Sequence, residues 1–307
     1  MDRLWYQAAN ASLAARNSGM LKPIDTEALA VTENGISFVI RMLSSLRDKS
    51  EAQQRLAEAG DHSHNPFLSP EPALRVCEVP PAHRCVLNKF CVIDRHLLLV
   101  TREFEPQSQA LNPSDFRALA RCMREGPALA FFNGGPDAGA SQPHKHLQLL
   151  PLDQTAPPPF AALLDAAAAR GCDRAPALPF RHHLTALPDG LLRNADEAAD
   201  WLTQHYRQAL NALGIEVDAT GEVKQAYNLL LTPRWLLMVP RRCEKRGDVS
   251  VNALGFVGWL LVKRQNQAER LKAEGLMRTL MIVSGASLPA QGEDICGDAA
   301  PTGDGCR

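Results

Sequence analysis

At 307 residues, with 45% hydrophobic and 22% charged side chains, the chain is long enough for one large or two closely packed domains around a substantial core. A formal net charge of -1 excludes whole-protein attraction to nucleic acid or an anionic membrane, so an anionic ligand must be held by local basic residues and backbone amides. Eight cysteines without a C-x-x-C pair argue against a zinc ribbon or a thioredoxin-like site, and most are expected to be reduced core fillers. The N-terminus has an early acid and no apolar h-region, and the longest apolar run, ALGFVGWLLV, falls short of the ~20 residues of a membrane span. The expectation is a cytoplasmic protein with no membrane segment.

In chain order, DRLWYQAANASLAARNSG predicts a helix closed by Gly19, and GISFVIRML a half-buried strand with Ile36, Phe38, Ile40 and Met42 on one face. A polar helical segment is expected up to Gly60. RCVLNKFCVIDRHLLLVT suggests two strands joined near Asp94, and NPSDFRALARCMREG a helix capped by Ser114 and stopped at Gly126. ALAFFN is a strand entering a glycine-rich loop, and HKHLQLLPL the strand leaving it. DQTAPPP is a linker; FAALLDAAAARG and NADEAADWLTQHYRQALNALG are helices, the second with Asn194 and Glu197 in a capping-box pattern. AYNLLLTPRWLLMVPRR supplies two strands, NALGFVGWLLVKRQNQAERLKAEG a long helix, and residues 291–307 a disordered tail. The histidines of DHSHNPF and RHHLTALP are taken as loop residues.

RHLLLVTREFE (95–105) and RWLLMVPRRCE (234–244) align without gaps. The echo suggests two related halves, and the order of elements favours α+β over a doubly wound sheet. Neither a P-loop nor a dinucleotide-binding glycine motif is present.

In an extended HKHLQL, His144, His146 and Gln148 share a face, with Leu147 and Leu149 on the other. Upstream, Asn133, Gly134, Gly135, Gly139 and Ala140 allow tight turns, and Ser141 and Gln142 add donors, so the loop suits a concave anion site. Together these suggest an imidazole nucleophile beside a phosphate cradle. Gln148 can donate to a phosphoryl oxygen but cannot deliver a proton, which restricts the chemistry to good leaving groups such as polyphosphate. Two alternatives remain at this point: a metal-binding histidine pair, though no carboxylate or cysteine stands at suitable spacing, and two structural histidines.

NGGPDAGASQPHKHLQLLPL resembles the H-x-H-x-Q signature of the transferase branch of the histidine-triad superfamily. More narrowly it resembles the diadenosine tetraphosphate phosphorylases (ATP adenylyltransferases) of the fungal type. SGMLKPIDT, NPFLSPEPALRVCEV, HRCVLNKFCVIDRHLLLVTREFEPQ, YNLLLTPRWLLMVPR and VNALGFVGWLL resemble that family in the same order, from about residue 18 to 262.

The resemblance implies an α+β histidine-triad-like antiparallel sheet with a duplicated half-domain and flanking helices. It implies a single catalytic domain over 1–290, built of halves at about 18–152 and 178–285. The implied reaction is ping-pong: His146 attacks the α-phosphorus of diadenosine tetraphosphate, ATP leaves, and inorganic phosphate releases the AMP moiety as ADP. Gln148 would hold phosphoryl oxygens and His144 would shape the site. Asn133, Gly139, Ala140, Ser141 and Gln142 match phosphate and ribose contacts, and Asn88 with Lys89 a substrate-binding pair. Lys49 matches a family lysine only approximately and could equally be a surface lysine. Thr232, Met238 and Arg242 would line the second nucleotide, with Met238 as core and Arg241 as the contact the alternatives there. No organic cofactor is implied; a divalent cation, Mg or Mn, would accompany the polyphosphate. The partners are small molecules (diadenosine tetraphosphate, phosphate, ATP, ADP), with no nucleic acid. Competing readings are a hexose-1-phosphate uridylyltransferase, which typically has a cysteine and histidine metal site, a dinucleotide hydrolase, and a non-catalytic nucleotide-polyphosphate sensor.

Overall fold

A computed structural model describes residues 3–44, 65–152 and 157–287 of the chain. Lys49, the helical segment up to Gly60, the histidines of DHSHNPF and the 291–307 tail lie outside the described residues. The fold is α+β. Its centre is an eight-stranded antiparallel sheet in the order β3-β4-β5-β7-β6-β9-β10-β8. These strands are β3 (Arg75–Val79), β4 (His83–Leu87), β5 (Leu97–Thr101), β6 (Ala128–Gly134), β7 (His146–Pro151), β8 (His183–Ala186), β9 (Tyr227–Leu231) and β10 (Trp235–Pro240). The two sequence halves meet where β6 pairs with β9.

Side-chain alternation sorts this sheet into two faces. Leu97, Leu99, Leu147, Leu149, Leu236 and Met238 point to a core shared with the helices α1 (Arg3–Asn17), α2 (Pro113–Met123) and α4 (Ala195–Ala212). α1 presents Leu4, Trp5, Ala8, Ser12 and Ala15 as one buried stripe. On the opposite face, Leu129, Phe131, Leu150, Leu230, Leu237 and Val239 enter a second core. That layer holds a smaller sheet, in the order β1-β2-β13, of β1 (Thr26–Glu33), β2 (Ile36–Leu43) and β13 (Trp259–Val262). It also contains α3 (Ala161–Ala169), α5 (Gln265–Glu274) and α6 (Leu276–Val283). A short ladder of β11 (Lys245–Arg246) and β12 (Val249–Ser250) completes the strands described. On the same face as this second core, a separate small cluster of Phe67, Val86, Leu98 and Val100 covers the first-half strands. His146 and Gln148 emerge between the two.

Several local expectations are corrected. The segment 252–275 is a short 3₁₀ turn, β13 and then α5, because Gly258 adopts φ 91° and a Cβ there would meet Pro159 Cβ at 2.7 Å. α2 is capped by Asn112, not Ser114: the Asn112 side chain accepts from Ser114 N and Asp115 N, and Asp115 returns a bond to Asn112 N. Asn194 does cap α4, accepting from Asp196 N and Glu197 N. Strand β1 was not expected; it pairs with β2 through an Asn34-Gly35 turn whose two φ values are 49° and 78°, the residue pair that such hairpin turns favour. Cys77, Cys85, Cys91, Cys122 and Cys172 are thiols outside any disulfide, whereas Cys243 is disulfide-bonded. Among the described residues no helix is long and apolar enough to cross a membrane.

Candidate active site

Strand β7 is paired on both sides, to β5 with His146 opposite Val100 and Gln148 opposite Leu98, and to β6 with Gln148 opposite Phe131. This register fixes which groups stand beside the motif. Two residues beyond the last β6–β7 pair, the Gln107 side-chain amide bridges the strands, bonding Asn133 O and His146 N at 2.8 Å each.

The histidine tautomers follow from fixed donors and acceptors. Phe67 N donates to Asn65 Oδ1 at 3.0 Å, so the Asn65 amide presents Nδ2 to His144 Nδ1 at 2.9 Å. His144 therefore carries its proton on Nε2, which donates to Thr101 O at 2.9 Å. The carbonyl of His144 in turn accepts the Nδ1–H of His146 at 2.8 Å. The lone pair of His146 is then on Nε2, which meets no partner among the described residues. Desolvation by burial pushes the His146 imidazole down to about 4, the bond to His144 O only partly opposing it. Burial lowers His144 as well. At 3% exposure and neutral charge, the His146 imidazole is oriented and unprotonated near pH 7, the state in which an imidazole can act as a nucleophile.

A second relay orients Gln148. Phe90 N donates to Asn88 Oδ1 at 3.2 Å, which turns Asn88 Nδ2 to His96 Nδ1 at 3.1 Å. His96 Nε2–H then donates to Gln148 Oε1 at 2.9 Å. With its oxygen occupied, Gln148 presents Nε2 as a donor on the face that carries His146. Asn133 is oriented alike: its Oδ1 accepts from Asn228 Nδ2 at 2.8 Å and Ala253 N at 3.0 Å, which leaves Nδ2 as its donor on the sheet face that carries His146. One lone pair and two amide donors thus converge on this face, as attack on a phosphoryl group requires.

The glycine-rich loop completes the site. Gly135 has φ 100° and Gly139 φ 86°, and a Cβ at Gly139 would lie 3.0 Å from Asn252 Cβ. Ala140 N bonds Gly135 O at 3.3 Å, while the amides of Ser141 and Gln142 donate to no group among the described residues. They remain available to an anion.

The other expected contacts separate. Asn88 joins the site through His96. Lys89 pairs with Glu71 at 3.1 Å, so its charge is shared. Thr232 lies four residues along β9 from Asn228, roughly 13 Å at ~3.3 Å per residue. Its hydroxyl accepts from Arg234 N and Trp235 N in the β9–β10 turn. Met238 is a correction: strand parity turns it to the helix-packed face, where it is fully buried core with 0% exposure. Arg241, 2% exposed, is wholly engaged with internal carbonyl oxygens, whereas Arg242 is exposed and its side chain bonds no group among the described residues. Arg242 is thus the arginine of that pair free to meet a ligand.

Sequence reasoning missed four residues that build the site. His96 holds Gln148. Gln107 clamps the start of β7, accepting from His146 N at 2.8 Å and donating to Asn133 O at 2.8 Å. Phe67 lies 5.1 Å from the His146 ring. Lys145, between the two histidines, faces the opposite way and bonds Glu105 at 2.6 Å and Asp115 at 3.3 Å, tying β7 to α2. Only Lys145 was signalled, since a charged residue on the buried face of a strand needs an acid behind it. The pair at 182–183 also departs from a loop reading: His183 begins β8 and His182 is buried at 3%. Among the described residues no group of three or more His, Cys, Asp or Glu side chains could hold a metal ion.

Comparison with known proteins agrees with this geometry. Residues 1–166 match the model of the Ap4A phosphorylase N-terminal domain, and residues 176–285 that of the ATP adenylyltransferase C-terminal domain. In Saccharomyces cerevisiae, diadenosine 5',5'''-P1,P4-tetraphosphate phosphorylase 2 is 30% identical over 84% of this chain and 87% of its own length. Protein APA1 of the same yeast is 29% identical over 81% and 84%. The crystal structure of yeast Ap4A phosphorylase Apa2 superposes with a TM-score of 0.74 at 26% identity, covering 94% of this chain and 96% of that one. With one family model spanning more than half of its length and a relative matched nearly end to end, the chain belongs to the Ap4A phosphorylase family.

Proposed function

We propose that the protein cleaves diadenosine tetraphosphate with inorganic phosphate to ATP and ADP. His146 Nε2 forms a bond to the α-phosphorus of one adenosine, and the bond from that phosphorus to its bridging oxygen breaks, releasing ATP. An oxygen of inorganic phosphate then attacks the same phosphorus, the N–P bond breaks, and ADP leaves. The ATP phosphate is a good leaving group and needs no acid, which suits a glutamine where a proton donor could have stood. Gln148 Nε2, Asn133 Nδ2 and the Ser141 and Gln142 amides would receive the phosphoryl oxygens. A divalent cation, Mg or Mn, would ride on polyphosphate oxygens and water, and no step is assigned to it.

The observation that carries this reading is the His146 imidazole, buried and neutral with Nδ1 committed to His144 O and Nε2 open. The likeness to the yeast diadenosine tetraphosphate phosphorylase supports it. The test is product analysis with diadenosine tetraphosphate, with and without phosphate. ATP plus ADP in equal amounts, dependent on phosphate, is the expected result. ATP plus AMP without phosphate would make the protein a hydrolase instead, and unchanged substrate would leave a sensor.

A further inference from the structure

Behind the glycine-rich loop lies a buried cation that no acidic side chain contacts among the described residues. Arg241 Nη1 donates to Asn228 Oδ1 at 2.7 Å, to Val251 O at 2.7 Å and to Ala138 O at 3.3 Å. Nη2 and Nε bond further carbonyls. The carboxylates of Glu244 and of the loop's own Asp137 act on it only through space. Burial lowers the guanidinium to about 9, so it stays charged at neutral pH. Carbonyl dipoles satisfy its donors without cancelling its charge.

This cation governs the loop in two ways. Its bond to Asn228 Oδ1 directs Asn228 Nδ2 to Asn133 Oδ1 at 2.8 Å and to Ala138 O at 2.9 Å. Asn133 must then aim its own Nδ2 towards the site. Ala138 immediately precedes Gly139, whose turn leads to the open amides of Ser141 and Gln142.

We propose that Arg241 is a positioning residue for the phosphate groups of a nucleoside polyphosphate: it sets the shape of the loop from behind and supplies, through Asn228 and Ala138 O, the positive charge that a bound polyanion completes. This rests on the function proposed above. Set behind the loop, the charge favours phosphate without adding an exposed arginine that would grip the product.

The test compares binding of ATP and of adenosine to the wild type, Arg241→Gln and Arg241→Lys, alongside phosphorolysis by the wild type. Arg241→Gln is expected to weaken ATP by tenfold or more and leave adenosine unchanged, with Arg241→Lys within threefold of wild type for ATP. Should Arg241→Gln not fold, Asn228→Asp sets a carboxylate against the guanidinium and is expected to give the same selective loss. Normal ATP affinity in the Gln or Asp variant, a parallel loss of adenosine, or a Lys variant as impaired as Gln overturns the proposal. Wild-type protein that binds ATP but does not phosphorolyse would sink the functional reading alone.

Discussion

Strands β7 and β8 occupy matching positions beside the two echoed strands, β7 against β5 and β8 against β10. His146 stands opposite Val100, and extending the β8 register by one residue places His182 opposite Val239, the partner of Val100 in the echo. Both imidazoles donate Nδ1–H at 2.8 Å to the carbonyl two residues back, His146 to His144 and His182 to Phe180. Each lies 5.1 Å from a phenylalanine ring. Burial lowers both. They differ at the other nitrogen: His182 Nε2 accepts from Ala175 N at 2.8 Å, whereas His146 Nε2 is open. The flanking positions differ too, with Phe180 and Leu184 where the first half has His144 and Gln148. An imidazole in this setting can attack a ligand only if nothing caps Nε2, and of the two only His146 also has an amide donor two residues on.

The largest expected effect comes from breaking the open member. His146→Ala should lower kcat by at least about a thousandfold, as loss of a nucleophile does, with the melting temperature nearly unchanged. A variant retaining a tenth of the activity would contradict the comparison. Next is the relay that distinguishes Gln148 from Leu184. His96→Phe frees the Gln148 amide to rotate, and kcat is expected to fall about tenfold to a hundredfold, below the cost of deleting an oxyanion donor outright. Unaltered kcat would remove His96 from the account.

His182→Ala sharpens the contrast from the other side. It leaves Ala175 N buried without its acceptor, a cost of about 1–3 kcal/mol. The melting temperature should fall by several degrees while kcat stays within about twofold. A catalytic loss in folded protein would show that the second half shares the chemistry. The smallest effect is on pH. Because His146 is lowered to about 4 in the fold, kcat/KM should stay level as pH falls through about 6.5, where a free imidazole would take a proton. Stability should nevertheless decline below that pH, since the unfolded chain binds protons that the folded imidazole refuses. A half-loss of kcat/KM near 6.5 would mean that burial does not hold His146 neutral.

Much of this site was legible because it is local. The period of two in HKHLQL already sets His144, His146 and Gln148 on one face, and small residues foretold the loop. Met238 was open to the same argument, since Leu237 and Met238 cannot both face the second core. What stayed hidden depends on contacts between distant segments. The acceptance of Ala175 N by His182 and the grip of His96 on Gln148 arise only once strands pair in register. The 252–275 helix misled because its apolar spacing suits a helix, whereas Gly258 fits its backbone against Pro159 and breaks it. β1 gave little signal because it is an exposed edge with few large apolar side chains.

The central claim, that of two matched imidazoles only the uncapped one reacts, is tested most directly by trapping the intermediate. The protein would be mixed with diadenosine tetraphosphate in the absence of phosphate, quenched at alkaline pH, digested and mapped by mass spectrometry. The account predicts one acid-labile AMP group on the peptide carrying His146, discharged as ADP when phosphate is added. AMP on the peptide carrying His182, or turnover to ATP and ADP with no adduct on His146, would contradict it.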